Sequence, residues 1–340
     1  MKINNRRYIG CKTKLLDFIF DTVKEYKIGK GAVVADIFAG TGVVAYKFAK
    51  EGYRTILNDT LFSNYVVYKT IFNNEKIRKN LISETLDYFN SLDGCKLEDN
   101  YFSNIYAHKY FALNDAKKIG YIRDYIEENK NKYNEREYYY LISCLIYSCD
   151  KIANTVGHFE SFLKKEPIER GVRLEMFEID NSLPESAIYN MDANELVKTI
   201  KADIVYIDPP YNARQYVNFY HVLENLARWN KPTEFEGNSM KFKRNELKSD
   251  YCRNKAPMLF EDLISKLDCK LIVVSYNNTY KAGSISSVNT VSGEQVVNIL
   301  SKKGKVTVKE KEYHAFNAGK TELTGHKELL YICEVGKWQS

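Results

Sequence analysis

Proline is scarce in this chain, with six residues in 340, and there is no Pro/Gly-rich stretch to serve as a linker. That leaves one large domain carrying an insertion, or two domains. The seven cysteines include no CxxC pair, which argues against a disulfide framework and a zinc site. Reduced thiols in a cytoplasm are the simplest expectation. No apolar run approaches the ~20 residues of a membrane span. The basic N-terminus has a short apolar stretch, and Asp17 interrupts it, which argues against a signal peptide. Internal repeats and low-complexity tracts are absent. The five histidines are scattered, so no metal is expected. His221 falls in an expected helix and reads as packing or capping.

Apolar residues make up 44% of the chain, enough for a sizeable core. The net charge of +6 is uneven. Residues 1–30 carry eight Lys/Arg against three acids, and residues 240–255 carry six against two. Such patches suit a polyanion, and equally suit a solvated lysine surface. The 27 tyrosines would serve base stacking, but a coding bias toward Lys, Asn, Ile and Tyr produces the same enrichment.

The segment GAVVADIFAGTGVVAYKFAKEG (31–52) reads as strand, glycine turn and helix, the opening of a doubly wound α/β sheet. YRTILND (53–59), ESAIYNMD (185–192), ADIVYIDPP (202–210) and CKLIVVSYNN (269–278) supply four more strands. KVTVKEKEY (305–313) alternates at period two and KELLYICEV (327–335) follows, an antiparallel hairpin at the sheet edge. Between about 75 and 185 apolar residues recur at three- and four-residue spacing, which predicts a mostly helical insertion. The expected boundaries are 1–75 with 186–340 for the sheet domain and 76–185 for the helical one. Residues 231–258 form a second, basic insertion.

Three places carry chemistry. In DIFAGTG, Gly40 and Gly42 let backbone approach a ligand at a helix N-terminus, or simply make a tight turn. Asn58 and Asp59 end the second strand, where an acid suits a ribose hydroxyl pair or caps the next helix. In DIVYIDPPY, Pro209 and Pro210 stiffen the chain after Asp208 at the carboxyl end of a central strand, where open α/β sheets bind ligands. A carboxylate, the Pro209 carbonyl and the flat face of Tyr211 together suit a planar amine.

DPPY after a strand, with FxGxG before it, resembles the signature of amino-group methyltransferases that use S-adenosylmethionine. RRYIGCKTKLL (6–16) resembles the YxGxK motif of the D12 class, the Dam-like alpha group of DNA adenine-N6 methyltransferases. The order YxGxK, FxGxG, helical insertion, DPPY is that group's order. The likeness is good over 6–68 and 185–227 and does not extend closely into 75–185. Cys11 departs slightly, standing where the family often has a smaller residue.

The resemblance implies a Rossmann-like methyltransferase sheet, mostly parallel with a C-terminal antiparallel hairpin, and a helical target-recognition domain. It places Asp36, Phe38, Gly40 and Gly42 at the cofactor turn, Asn58 and Asp59 at the ribose, and Asp192 at the cofactor's adenine amino group. Tyr8, Gly10 and Lys12 would line the methionine end, with Lys12 near its carboxylate or the target base. Asp208, Pro209, Pro210 and Tyr211 would hold a flipped adenine, Asp208 also bordering the cofactor. The implied activity is direct methyl transfer to adenine N6 in duplex DNA, in a restriction-modification setting with a cognate endonuclease. A C5-cytosine enzyme would need a nucleophilic cysteine, usually after proline, and no Pro-Cys occurs here. Cytosine N4, an RNA base and a catalytically dead DNA-binding homologue are the alternatives. Arg214 and Gln215, with Lys241, Lys243, Arg244, Lys248, Arg253 and Lys255 of the basic insertion, are the expected DNA contacts. Loops such as NTVGHFESFLKK (154–165) are expected to read bases.

Overall fold

The computed structural model describes residues 2–3, 6–210, 212–278, 289–312 and 327–336. It forms two compact units, one of residues 10–60, 183–216 and 247–340, the other of residues 1–9, 61–182 and 217–246.

The first unit is built on a seven-stranded sheet. Its strands are β1 (Val33–Asp36), β2 (Arg54–Asn58), β3 (Ser186–Tyr189), β4 (Ile204–Ile207), β5 (Leu271–Asn277), β6 (Gly304–Glu312) and β7 (Lys327–Val335). Their spatial order is β3-β2-β1-β4-β5-β7-β6. The first five are parallel, with Ala35 opposite Ile56 on one side and Val205 on the other. β7 runs antiparallel between β5 and β6. This is the mostly parallel sheet with a C-terminal antiparallel pair that the sequence pattern predicts. Strand periodicity divides the apolar residues between two faces. Val34, Ile204, Tyr206, Leu271 and Val273 meet Ile19, Phe20 and Phe48 from helices Leu16–Lys24 and Val43–Lys50. Ala35, Val205, Ile207, Ile272 and Val274 meet Phe260, Leu263, Val296 and Leu300 on the other face. Each fully buried aliphatic side chain is worth roughly 1.5–3 kcal/mol.

The second unit is helical. Helix Glu135–Ile152 runs through its centre and is buried continuously from Tyr140 to Asp150. Its N-terminus is closed by a capping box between Asn134 and Glu137. Helices Phe62–Phe72, Lys79–Ser91, Tyr101–Tyr106 and Leu113–Glu128 and most of a kinked helix, Tyr216–Arg228, surround it. A Cβ at Gly120 would lie 1.9 Å from Asn100 Oδ1, so only glycine admits the cap of helix Tyr101–Tyr106 here. Residues 153–182 carry no helix or strand. The expected cuts at 75 and 185 differ from this division, because residues 61–75 and 217–246 pack into the helical unit. Thr70 bonds Ser143 of the central helix at 2.8 Å, and Glu224 accepts the Phe62 and Ser63 amides at 2.8 and 2.9 Å. No described helix is long and apolar enough to cross a membrane.

Candidate active site

β1 ends at Asp36, and the chain then turns through Phe38–Gly42 into helix Val43–Lys50. Gly40 and Gly42 hold φ of 53° and 77°, a region that costs a residue with Cβ about 1–2 kcal/mol. The Gly40 amide donates to Asp59 Oδ2 at 2.9 Å, so the acid at the end of β2 braces the glycine turn. Asp36 is buried, and its Oδ1 has no hydrogen-bond partner among the described residues. Burial, with help from the charges of Asp208 and Asp59, pushes its carboxyl well above the usual range.

Asp208 follows β4, the strand beside β1. Its side chain is 15% exposed, and its Oδ1 lies 3.1 Å from Lys12 Nζ. The same ammonium lies 2.6 Å from Glu328 Oε1 on β7. Ser275 of β5 donates to that Glu328 oxygen at 2.6 Å. One buried cation therefore serves two carboxylates. Burial pushes the Asp208 carboxyl up to about 7; Lys12 pulls it down and Glu328 adds to the rise. A carboxylate so poorly solvated is a strong hydrogen-bond acceptor that costs stability to hold. Pro209 is buried and Pro210 partly so. Tyr211 lies outside the described residues.

The model of the D12 class of N6 adenine-specific DNA methyltransferases matches residues 8–299. The chain belongs to that family. It is 39% identical over 345 residues to the modification methylase StsI of Streptococcus sanguinis, covering 96% of this chain and 51% of that protein. It is 33% identical over 344 residues to the type II methyltransferase M.NlaIII of Neisseria lactamica, covering 96% of this chain and 98% of that one. It is also 33% identical to M.FokI of Planomicrobium okeanokoites, over 80% of this chain and 44% of that protein. The chain thus spans about half the length of some relatives and nearly all of another.

The methyl donor of a D12 methyltransferase is S-adenosyl-L-methionine. The glycine turn, the unpartnered Asp36 oxygen and Asp59 fit such a group, which brings a ribose diol, an ammonium and a sulfonium. Phe38 is half-buried and meets Tyr251 edge to face at 5.1 Å. Asp192 is exposed and caps a short helix, its Oδ1 accepting the Asn194 and Glu195 amides at 2.9 and 3.2 Å. Gly10 takes a φ of 77° just before Lys12. Tyr8 belongs to the helical unit, where its ring stacks on Tyr220 at 4.6 Å.

Three residues have a different part from the expected one. Asn58 is buried; its amide donates to the Ile37 and Met191 carbonyls and accepts the Met191 amide, bracketing β1 to the loop after β3. Gln215 engages both ends of its amide with Ser249, so it fixes a loop. Arg244 is 6% exposed and bonds Asn218, Glu236 and the Phe242 carbonyl, which makes it an internal clamp. Arg214 and Lys243 are exposed, the latter paired with Glu234. Lys248 is partly exposed, and Lys241 lies 3.9 Å from Glu160 with its ammonium pulled down by burial.

Glu328 was not visible as a site residue in the sequence. The available signal was an acid in step with the buried Leu330 and Ile332.

Proposed function

We propose that this chain transfers a methyl group from S-adenosylmethionine directly to N6 of an adenine flipped out of duplex DNA. The observation that carries this reading is Asp208, a largely buried acceptor at the end of a central strand, held by Lys12 beside a glycine turn. Adenine N6 is a weak nucleophile because its lone pair is delocalised into the ring. Asp208 and the Pro209 carbonyl would accept its two N–H bonds, turn the nitrogen toward sp3 and aim its lone pair. Held at the glycine turn, the cofactor would supply an electrophilic methyl whose S–C bond breaks as the N6–C bond forms. The N6 proton would pass to the Asp208 carboxylate and from there to water. Positioning and electrostatics supply the acceleration, with Tyr211 as the stacking face.

Flipping costs a few kcal/mol, and phosphate contacts offset part of it. Arg214, Lys243 and Lys248 suit those contacts by their exposure. Base reading is placed in the helical unit, on 154–165, where Val156 and Leu163 are 56% and 42% exposed. The relatives named as a modification methylase and type II methyltransferases support a modification role, and a cognate endonuclease is part of the proposal. Seven free cysteines suit a reducing cytoplasm.

The test is tritiated methyl transfer from the cofactor to unmethylated plasmid, with Asp208→Ala beside wild type. The reading requires label in DNA from wild type alone, with cofactor binding retained by the variant. Equal labelling by both would refute the role of Asp208.

A further inference from the structure

The Lys12 ammonium is shared unequally between two carboxylates, at 2.6 Å from Glu328 and 3.1 Å from Asp208. Glu328 is 2% exposed and its nearer oxygen is also held by the Ser275 hydroxyl. It sits too deep to meet solvent and acts through Lys12. We infer that Glu328 is a positioning residue for methyl transfer: it draws the Lys12 charge away from Asp208 and leaves the Asp208 carboxylate free to accept the target amino group. The inference rests on the reading of Asp208 given above.

An ammonium with one carboxylate partner forms a closed ion pair, and that partner becomes a poor acceptor for a third group. A second carboxylate, closer and better hydrogen-bonded, takes most of the charge. Asp208 then stays fixed in place by Lys12 without being neutralised by it. Among the described residues the other groups acting on this acid are Asp36 and Tyr206. Neither is a cation, so Lys12 is the positive charge being apportioned.

The consequence is opposite to that of ordinary damage. Glu328→Gln keeps the shape and removes the competing charge. Lys12 then closes on Asp208, whose proton affinity falls. The acidic limb of the kcat profile should move down by about one pH unit, a tenfold change in proton affinity. At the same time kcat should fall at least tenfold, while cofactor affinity and KM for DNA hold within about twofold. Glu328→Asp pulls the carboxylate back by one methylene and should give an intermediate limb and an intermediate kcat. The Asp variant carries the same test if thermal melting shows the Gln variant unfolded.

The experiment is the pH profile of single-turnover methyl transfer to plasmid DNA by wild type and both variants, with equilibrium cofactor binding in parallel. A downward limb shift together with the fall in plateau kcat, at retained cofactor binding, supports the inference. A limb that stays at the wild-type pH overturns it, and so does a shifted limb with an unchanged plateau kcat. Losing one nearby negative charge lowers the proton affinity of Asp208 by itself, and only the plateau reports that Lys12 has closed the acceptor. If wild type itself labels no adenine, the reading of Asp208 fails first, and that outcome is read before either variant.

Discussion

The two units bury some of their charges in opposite ways. In the helical unit Glu137, Arg136 and Arg123 are well satisfied, although Arg6 keeps two nitrogens without a partner among the described residues. Glu137 accepts from the Arg78 and Asn134 amides and from the Arg78 guanidinium. Arg136 donates to the Thr70, Glu75 and Ile71 carbonyls, and Arg123 to the Leu226 and Ala227 carbonyls. The acids at the strand ends of the sheet unit are left short. Among the described residues Asp36 has an unpartnered oxygen, and Asp208 shares one cation with a competitor. Burial is outweighed by Arg78 at Glu137, whose carboxyl is held below its ordinary value, whereas burial dominates at Asp36 and Asp208 and raises both, as it also does at Asp115 and Asp150 of the helical unit. Saturated charges hold a fold together; an undersupplied acid is held ready for another partner.

Substitutions should separate these roles. Asp208→Ala is expected to reduce methyl transfer by about a thousandfold while the melting temperature holds or rises, since a costly buried acid is removed. Activity assays beside thermal melts check this, and a large fall in stability would contradict it. Glu137→Ala should do the reverse: a loss of roughly 3 kcal/mol of stability, at the low end for a buried pair because Arg78 is half in solvent. Urea unfolding measures it, and a loss under 1 kcal/mol would erase the contrast between the units.

A pH series sharpens the comparison further. Asp208 must be ionised to accept N6–H, and its carboxyl titrates at about 7. The value of kcat/KM should therefore rise about tenfold per unit below pH 7 and level off above it. The linkage sign is the opposite for stability. The folded-state value of Asp208 lies above its unfolded one, so its contribution to stability is greatest in acid and is lost as pH rises from about 4 to about 7. Activity limited by an acid near pH 4 would contradict the placement of Asp208.

The smallest effect belongs to the surface. Lys243→Ala should weaken DNA binding severalfold and uniformly across sequences, lowering the salt slope by about one, with no change in stability. Arg244→Ala, by contrast, should destabilise its loop, because its guanidinium is engaged inside the protein.

The sheet was legible because its strands are short apolar runs closed by turn residues, and because Gly40, Gly42 and Asp208–Pro210 have few other uses at strand ends. The sharing of Lys12 was not legible, since Glu328 is 316 residues away from it in the chain. Charge can be read from sequence, but its partner cannot. That is why Arg244 and Gln215 were expected at DNA while the fold turns them inward. The unit boundaries were missed for a similar reason: helix Phe62–Phe72 is apolar on nearly every side, so its pattern does not say which core it joins.

The central claim is most directly tested by the nucleoside that receives the methyl group. Plasmid DNA labelled by the wild-type enzyme from tritiated S-adenosylmethionine would be digested and its nucleosides resolved. The account predicts label in N6-methyladenine alone, and none from Asp208→Ala. Label in N4-methylcytosine, or none in DNA while the cofactor still binds, would contradict it.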